Sequence, residues 1–166
     1  MFVRTASARD LPAIRALLVA TWHDTYDAIY GPDRVTAITE EWHSLPALEA
    51  RLGTPNSEFL VADDGERIGG VAFASVADGG ATVLLRQLYV LPQLQGRGIG
   101  GLLLDEIEGC FPEAERVRLE VEEKNFKAVT FYRAQGFAEV GRTANCGSSE
   151  SGIPALVYER PIVWAD

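Results

Sequence analysis

Residues 88–104, Leu-Tyr-Val-Leu-Pro-Gln-Leu-Gln-Gly-Arg-Gly-Ile-Gly-Gly-Leu-Leu-Leu, carry an apolar strand through a proline into a glycine-rich turn that opens a helix. Gly96, Gly98, Gly100 and Gly101 let the main chain approach a ligand and aim its N–H groups at one point. The new helix adds unpaired donors and the positive end of its dipole, so an anionic group is expected there. The same residues also read as the dinucleotide fingerprint Gly96-x-Gly98-x-x-Gly101, with Glu120 where a ribose-binding acid would fall. Against that reading, Pro92-Gln-Leu-Gln95 separates strand from turn, about ninety residues precede it, and too few follow for a second mononucleotide half.

A chain of 166 residues, 47% hydrophobic and 23% charged, fits a single domain spanning residues 1–166 with a sizeable core. Its formal charge of -9 disfavours nucleic acid and anionic membrane surfaces as partners and suits a cationic acceptor such as an amine. A polyanionic cofactor would bind against that field, so local N–H donors must hold it. Cys110 and Cys146 lie far apart without a pairing pattern, and the N-terminus lacks a charged-then-apolar leader, which makes the cytoplasm the expected compartment. No apolar run reaches the roughly 18 residues of a membrane span. His23 and His43 sit without ligand-spaced neighbours, so no metal is expected and His43 is given no role.

Periodicity predicts a strand at Phe2 to Thr5 and a helix capped by Ser7 running to about Tyr26, with Leu11, Ile14, Leu17, Leu18 and Trp22 on its core face. Residues 28–53, broken by Gly31, Pro32 and Pro46, read as helix, loop, helix. Three antiparallel strands then follow, turning at Asp63-Asp-Gly-Glu66 and at Asp78-Gly-Gly80. After the glycine turn come a helix from Ile99 to Cys110, a strand from Arg116 to Val121 and a helix from Phe126 to Gln135 closed by Gly136. Two strands, 137–142 and 153–163, joined by a polar loop around residues 145–149, finish the chain. The order predicts an α+β fold: a mostly antiparallel sheet of about seven strands, helices on both faces, and a parallel pair flanking Ile99 to Cys110.

A second constellation lies downstream, where Asn125 and Tyr132, seven residues apart, share a helical stripe with Ala128. Read alone, Asn125 is either a helix cap or a ligand group, and Tyr132 either a core aromatic or a site phenol. Together, Leu-Tyr-Val-x-Pro-x-x-Gln-Gly-x-Gly-Ile-Gly and Asn-x-x-Ala-x-x-Phe-Tyr-x-x-x-Gly-Phe resemble the GCN5-related N-acetyltransferase (GNAT) superfamily, closely over Leu85 to Arg142. The first helix, with Trp22, His23 and Tyr26, is loosely similar to that of polyamine-type and small-molecule N-acetyltransferases.

The resemblance implies that the main chain of Gln95, Gly96, Arg97, Gly98, Ile99 and Gly100 holds the pyrophosphate of acetyl-CoA. The strand Leu88, Tyr89, Val90 would pair with the pantetheine arm through the main chain of Leu88 and Val90, and Asn125 and Ala128 would meet that arm from the other side. Tyr132 would stand near the thioester sulfur as general acid, and a homodimer is the implied assembly.

Acetyl transfer to an alkylamine, whose pKa is about 10.4, requires that a group take the amine proton. The carbonyl oxygen needs a fixed donor, for which the N–H of Leu88 or Val90 is a candidate, and the thiolate leaves faster if Tyr132 protonates it. Many relatives carry a glutamate eleven residues before the motif glutamine, where this chain has Leu84. The base is therefore open among Glu120, Glu122, His23 acting through water, and solvent. Neither cysteine has an evident activating base, so an acyl-cysteine route is not expected. Arg86 is a candidate for an acceptor carboxylate, and Trp22 with Tyr26 for walling an acceptor amine, in a small molecule or a peptide. Leu84 also keeps a rival reading in play, an acyl-CoA sensor without turnover.

Overall fold

A computed structural model describes residues 1–147 and 151–164. The elements run β1 (Phe2–Thr5), a 3-10 turn (Ala8–Asp10), α1 (Leu11–Tyr30), α2 (Pro32–Trp42), α3 (Leu45–Leu52), β2 (Ser57–Asp63), β3 (Ile68–Ala77), β4 (Thr82–Val90), α4 (Ile99–Gly109), β5 (Arg116–Val121), α5 (Phe126–Ala134), β6 (Ala138–Thr143) and β7 (Ala155–Pro161). The strands hydrogen-bond in the order β1-β2-β3-β4-β5-β7-β6. β4 and β5 are parallel, whereas β1 with β2, β5 with β7 and β6 with β7 are antiparallel. This is the expected mixed, mostly antiparallel sheet, with its parallel pair on either side of the glycine-turn helix. Among the described residues no helix is long and apolar enough to cross a membrane.

Two compact units divide the chain, Met1–Phe73 with Gln87–Ile107, and Ala74–Arg86 with Glu108–Asp166, so that β3 and β4 each serve both. In the first unit, Leu11, Ile14, Leu17 and Leu18 of α1 pack with Leu48 of α3, Phe59 and Val61 of β2, and Val71 and Phe73 of β3. Strand side chains alternate, so Gly70 points to the opposite face of β3, where a Cβ on it would lie 2.9 Å from Leu103 and 3.1 Å from Ile99 of α4. Helices α1 and α3 thus cover one face of this unit's strands and α4 the other.

One helix departs from the sequence expectation. Where a loop is predicted between residues 28 and 53, α2 forms, and α1 continues to Tyr30. Gly31 turns the chain at φ +85°, and Pro32 then sits in the first helical turn, where its missing N–H costs nothing. Val35, Ile38 and Trp42 follow at helical spacing and join Trp22 and Tyr26 in a second apolar cluster. The punctuating Gly-Pro pair starts a helix here rather than ending one.

In the second unit, β5 pairs with β7 from Arg116↔Pro161 to Val121↔Leu156, and Arg118 Nε donates to Glu159 across the pair at 2.9 Å. The pairing of β6 with β7 carries a register shift between Glu139 and Gly141. The polar loop expected around residues 145–149 lies in part outside the described residues, at Ser148 and Ser149.

An ion network ties the start of α1 to the first two strands. Arg4 donates to both carboxylate oxygens of buried Asp10 at 2.8 Å and through Nε to Asp63 at 3.0 Å, while the Ser7 N–H and hydroxyl also donate to Asp10. The Arg4 hydrogen bonds hold the Asp10 carboxyl well below the usual carboxylate range. A carboxyl depressed in the folded state contributes stability that is complete above its unfolded pKa, near ~3.9, and is lost as pH falls through the folded value. Asp10→Asn is expected to cost about 2 kcal/mol at pH 7 and to flatten the acid limb of a stability profile measured by urea unfolding between pH 2 and 7.

Candidate active site

The first unit supplies the glycine turn. Leu91 N–H donates to Gly69 O at 2.9 Å, the 3-10 turn Pro92–Leu94 follows, and Gly96 and Gly98 adopt φ +77° and +84°. L side chains rarely hold such angles, so glycine is required by the backbone itself. The first turn-closing bond of α4 runs from Leu102 N–H to Gly98 O at 3.0 Å, which leaves the amides of Ile99, Gly100 and Gly101 ahead of the helical ladder. Gln95 through Gly98 are exposed, and a Cβ built on Gly96 or Gly98 meets nothing within 4 Å. An anion has open access to donors at the positive end of a helix dipole, which is the arrangement a pyrophosphate requires.

What holds that turn in place escapes a reading of motifs. Gly69 and Gly70 look like ordinary strand residues, yet a Cβ on Gly69 would lie 2.7 Å from Leu94, and one on Gly70 would press Leu103, Ile99 and, at 3.3 Å, the Tyr89 carbonyl. Two bare positions on β3 let the turn and α4 settle close to the strand. A pair of adjacent glycines inside an otherwise apolar strand is the signal that could have found them.

β4 outlasts its parallel partner. Its register with β5 covers Thr82↔Arg116 to Leu85↔Leu119, while the strand itself continues to Val90. The Val90 carbonyl accepts from Gln95 Nε2 at 3.1 Å, so the motif glutamine fastens the end of the strand to the turn. Leu84 is half-buried, and Arg86 is exposed with Nε 3.4 Å from the Ser75 hydroxyl.

In the second unit, Asn125 caps α5, its Oδ1 accepting from Ala128 N–H at 3.3 Å. Tyr132 is buried, its ring packed edge-on to Phe131 and Phe137. The helix closes as a Schellman motif: Gly136 lies at φ +88°, Phe137 N–H donates to Tyr132 O at 3.0 Å, and Gly136 N–H donates to Arg133 O at 3.0 Å. The contact between Phe137 and Tyr132 is the apolar pairing that accompanies this cap, so the cap sets the phenol's ring position. Arg160 braces it, donating to Gln135 O and to Glu108 while lying over the Phe137 ring.

The candidate bases differ in surroundings. Glu120 is exposed and accepts from Gly147 N–H at 2.8 Å, whereas Glu122 is buried and accepts from Lys124 N–H at 3.4 Å. Withdrawal from water, with the nearby Glu120 charge adding to it, pushes the Cys146 thiol up to about 12, so at neutral pH it stays protonated and unreactive. In the first unit, His23 Nδ1 is 2.6 Å from Asp27 Oδ1, and its Nε2 is 3.4 Å from the Thr36 hydroxyl. Trp22 and Tyr26 are buried, their rings 4.5 Å apart, in the cluster with Val35.

Residues 55–139 match the family described as acetyltransferase (GNAT) domain. The chain is 29% identical over 165 residues to the peptidyl-lysine N-acetyltransferase YiaC of Escherichia coli, covering 97% of each protein. It is 30% identical over 145 residues to a probable N-acetyltransferase of Mycobacterium tuberculosis, covering 85% of this chain and 82% of that protein. Among solved structures, the PaiA N-acetyltransferase of Thermoplasma acidophilum in complex with coenzyme A has the same fold, with a TM-score of 0.84 at 22% identity over 97% of this chain and 98% of that one.

One substitution and one labelling experiment probe these placements. Gly70→Val is expected to cost about 1–3 kcal/mol in a denaturant melt, because Ile99 cannot move aside without shifting α4, nor the Tyr89 carbonyl without shifting β4. Cys146 is expected to resist iodoacetamide at pH 7, read by mass spectrometry; rapid labelling would show a thiol more acidic than its surroundings imply.

Proposed function

The chain belongs to the GNAT acetyltransferases, and from that premise we propose that it moves acetyl from acetyl-CoA to a primary amine of a small molecule or peptide by direct attack in a ternary complex. The observation that carries the reading is the turn at Gly96 and Gly98, which delivers the leading amides of α4 into open space. Acetyl-CoA supplies the activated acyl carbon. The amides of Gly96 to Gly100 bind its pyrophosphate, with Gln95 holding the turn to Val90. The Leu88 N–H, on the part of β4 beyond its parallel pairing, orients the pantetheine arm or polarises the acetyl carbonyl.

Asn125 serves the same arm from α5, and Tyr132, fixed by the Schellman cap, donates its phenolic proton to the departing sulfur. The protonated Cys146 favours direct attack over an acyl-cysteine route. Glu120, Glu122 and the Asp27-oriented His23 remain the side chains able to take the amine proton, through water or directly. The name of the Escherichia coli relative supports a peptide lysine as one acceptor class, alongside small amines. Trp22 and Tyr26 act from within the α1–α2 cluster and Arg86 from the exposed side of β4. A cytoplasmic homodimer completes the reading.

Release of CoA thiol, followed against a panel of amines, amino acids and lysine peptides, tests this directly. Turnover with at least one amine is expected, whereas binding of acetyl-CoA without thiol release from any acceptor would establish the sensor reading that Leu84 leaves in play. Acetyl-CoA, and not NADH, is expected to raise the melting temperature. Tyr132→Phe is expected to lower kcat by about 10–100-fold with acetyl-CoA affinity little changed, and an unchanged kcat removes Tyr132 as the acid.

A further inference from the structure

Four buried polar atoms in the first unit have no hydrogen-bond partner: Trp22 Nε1, His43 Nε2, Arg51 Nη1 and Gln87 Oε1. Trp22, His43 and Gln87 are 5%, 2% and 7% exposed, so water at the surface does not satisfy them. They form one group around His43, whose ring lies 5.6 Å from that of Trp22 and whose Nδ1 lies 3.5 Å from Gln87 Nε2. Arg51 reaches the same place, its Nη2 donating at 2.7 Å to the carbonyl of Trp42, the residue before His43. Buried polar atoms are almost always paired, and leaving one unpaired costs about 1–3 kcal/mol.

The chemistry that would pair these atoms follows from counting donors. Burial, with the Arg51 charge second, lowers the imidazole to about 3, so His43 is neutral at pH 7 and carries one ring proton. If Gln87 Nε2 donates to Nδ1, that proton is on Nε2, and the unfilled set is three donors, from Trp22, Arg51 and His43, with one acceptor, Gln87 Oε1. If the amide is turned over, Gln87 supplies the third donor and His43 Nε2 the acceptor. Both arrangements present three donors and one acceptor.

The group is also positive. Arg51 is a permanent cation whose hydrogen bond goes to a neutral carbonyl, Nη2 to Trp42 O at 2.7 Å, and among the described residues no carboxylate pairs with it. The other charge felt by His43 is that of Arg15, again positive. Water alone would leave the guanidinium uncompensated.

We propose that Trp22, His43, Arg51 and Gln87 form a binding site for one carboxylate group. Two oxygens accept the three N–H bonds and neutralise Arg51, and the remaining acceptor takes an N–H beside that carboxylate. Gln87 immediately precedes Leu88 on β4, so the carboxylate comes either from the acceptor amine itself, which rests on the acetyltransferase reading, or from a free organic anion.

The full chain, labelled with 15N at its indoles, is titrated with sodium acetate and separately with acetamide, in sodium sulfate of matched ionic strength. Acetate is expected to shift the Trp22 indole resonance saturably with a Kd of about 10 mM, and acetamide is not. The resonance is assigned by its loss in Trp22→Phe, and the affinity is expected to fall at least about tenfold in Arg51→Met, with Arg51→Lys as the replacement should the methionine variant not fold. No shift with acetate, or an equal shift with acetamide, means an internal water only and overturns the proposal.

Thiol release with paired acceptors that differ only in carrying a carboxylate or a carboxamide then distinguishes the sources. A preference for the carboxylate of about tenfold in kcat/KM, lost in Arg51→Met, assigns it to the acceptor. Equal rates with the indole shift intact assign it to a free anion. No thiol release from any amine refutes acetyl transfer while leaving the indole titration to judge the site.

Discussion

The absence of a side chain at Gly70 is the contact on which the architecture of the first unit turns. A helix can present its leading amides to a ligand only if something fixes the helix along its length, and here Ile99 and Leu103 of α4 do so by lying against a bare stretch of β3. The apolar stripe of α4, Ile99, Leu103, Leu104 and Ile107, stays buried as a consequence. The turn before the helix is therefore not a floppy tether. It is clamped at one end by Leu91 on Gly69 and by Gln95 on Val90, and at the other by a packed helix. Preorganised donors of this kind bind a diphosphate without first spending free energy on ordering the loop.

The second unit solves a different problem with the same economy. The position of the Tyr132 ring is set by its edge-on contacts with Phe131 and Phe137. The end of α5 does this with backbone geometry: glycine at φ +88° reverses the chain, and the reversal lays Phe137 against Tyr132. Arg160 then joins three elements by reaching Gln135, Glu108 and the Phe137 ring together. Cation, carbonyl and aromatic face each take part of one guanidinium, as its planar fork allows.

Local chemistry was readable from the chain, and distant contacts were not. The glycine turn, the Asp63-Asp-Gly-Glu66 hairpin and the Gly136 cap each declare themselves within a few residues, because positive φ angles and turn hydrogen bonds are local requirements. α2 was hidden because Gly31-Pro32 marks a break equally well whether a loop or a helix follows, and only the burial of Val35 and Trp42 against α1 decides between them. Gly69 and Gly70 mattered for what lies opposite them about thirty residues later, which no window reveals. His43 looked inert for the same reason, since its neighbours come from α1, α3 and β4. Asn125 met its local role as a helix cap.

The register shift in β6 bears on how copies of the chain can meet. β6 is the last strand in the hydrogen-bonded order, and between Glu139 and Gly141 its ladder loses step, with Val140 turned out to solvent. An outer rim broken in this way offers an incoming backbone only two short runs of matched spacing, so a neighbour cannot be recruited as an eighth strand along the whole rim. At this edge, contact between copies is therefore left to side chains, where single substitutions can tune it.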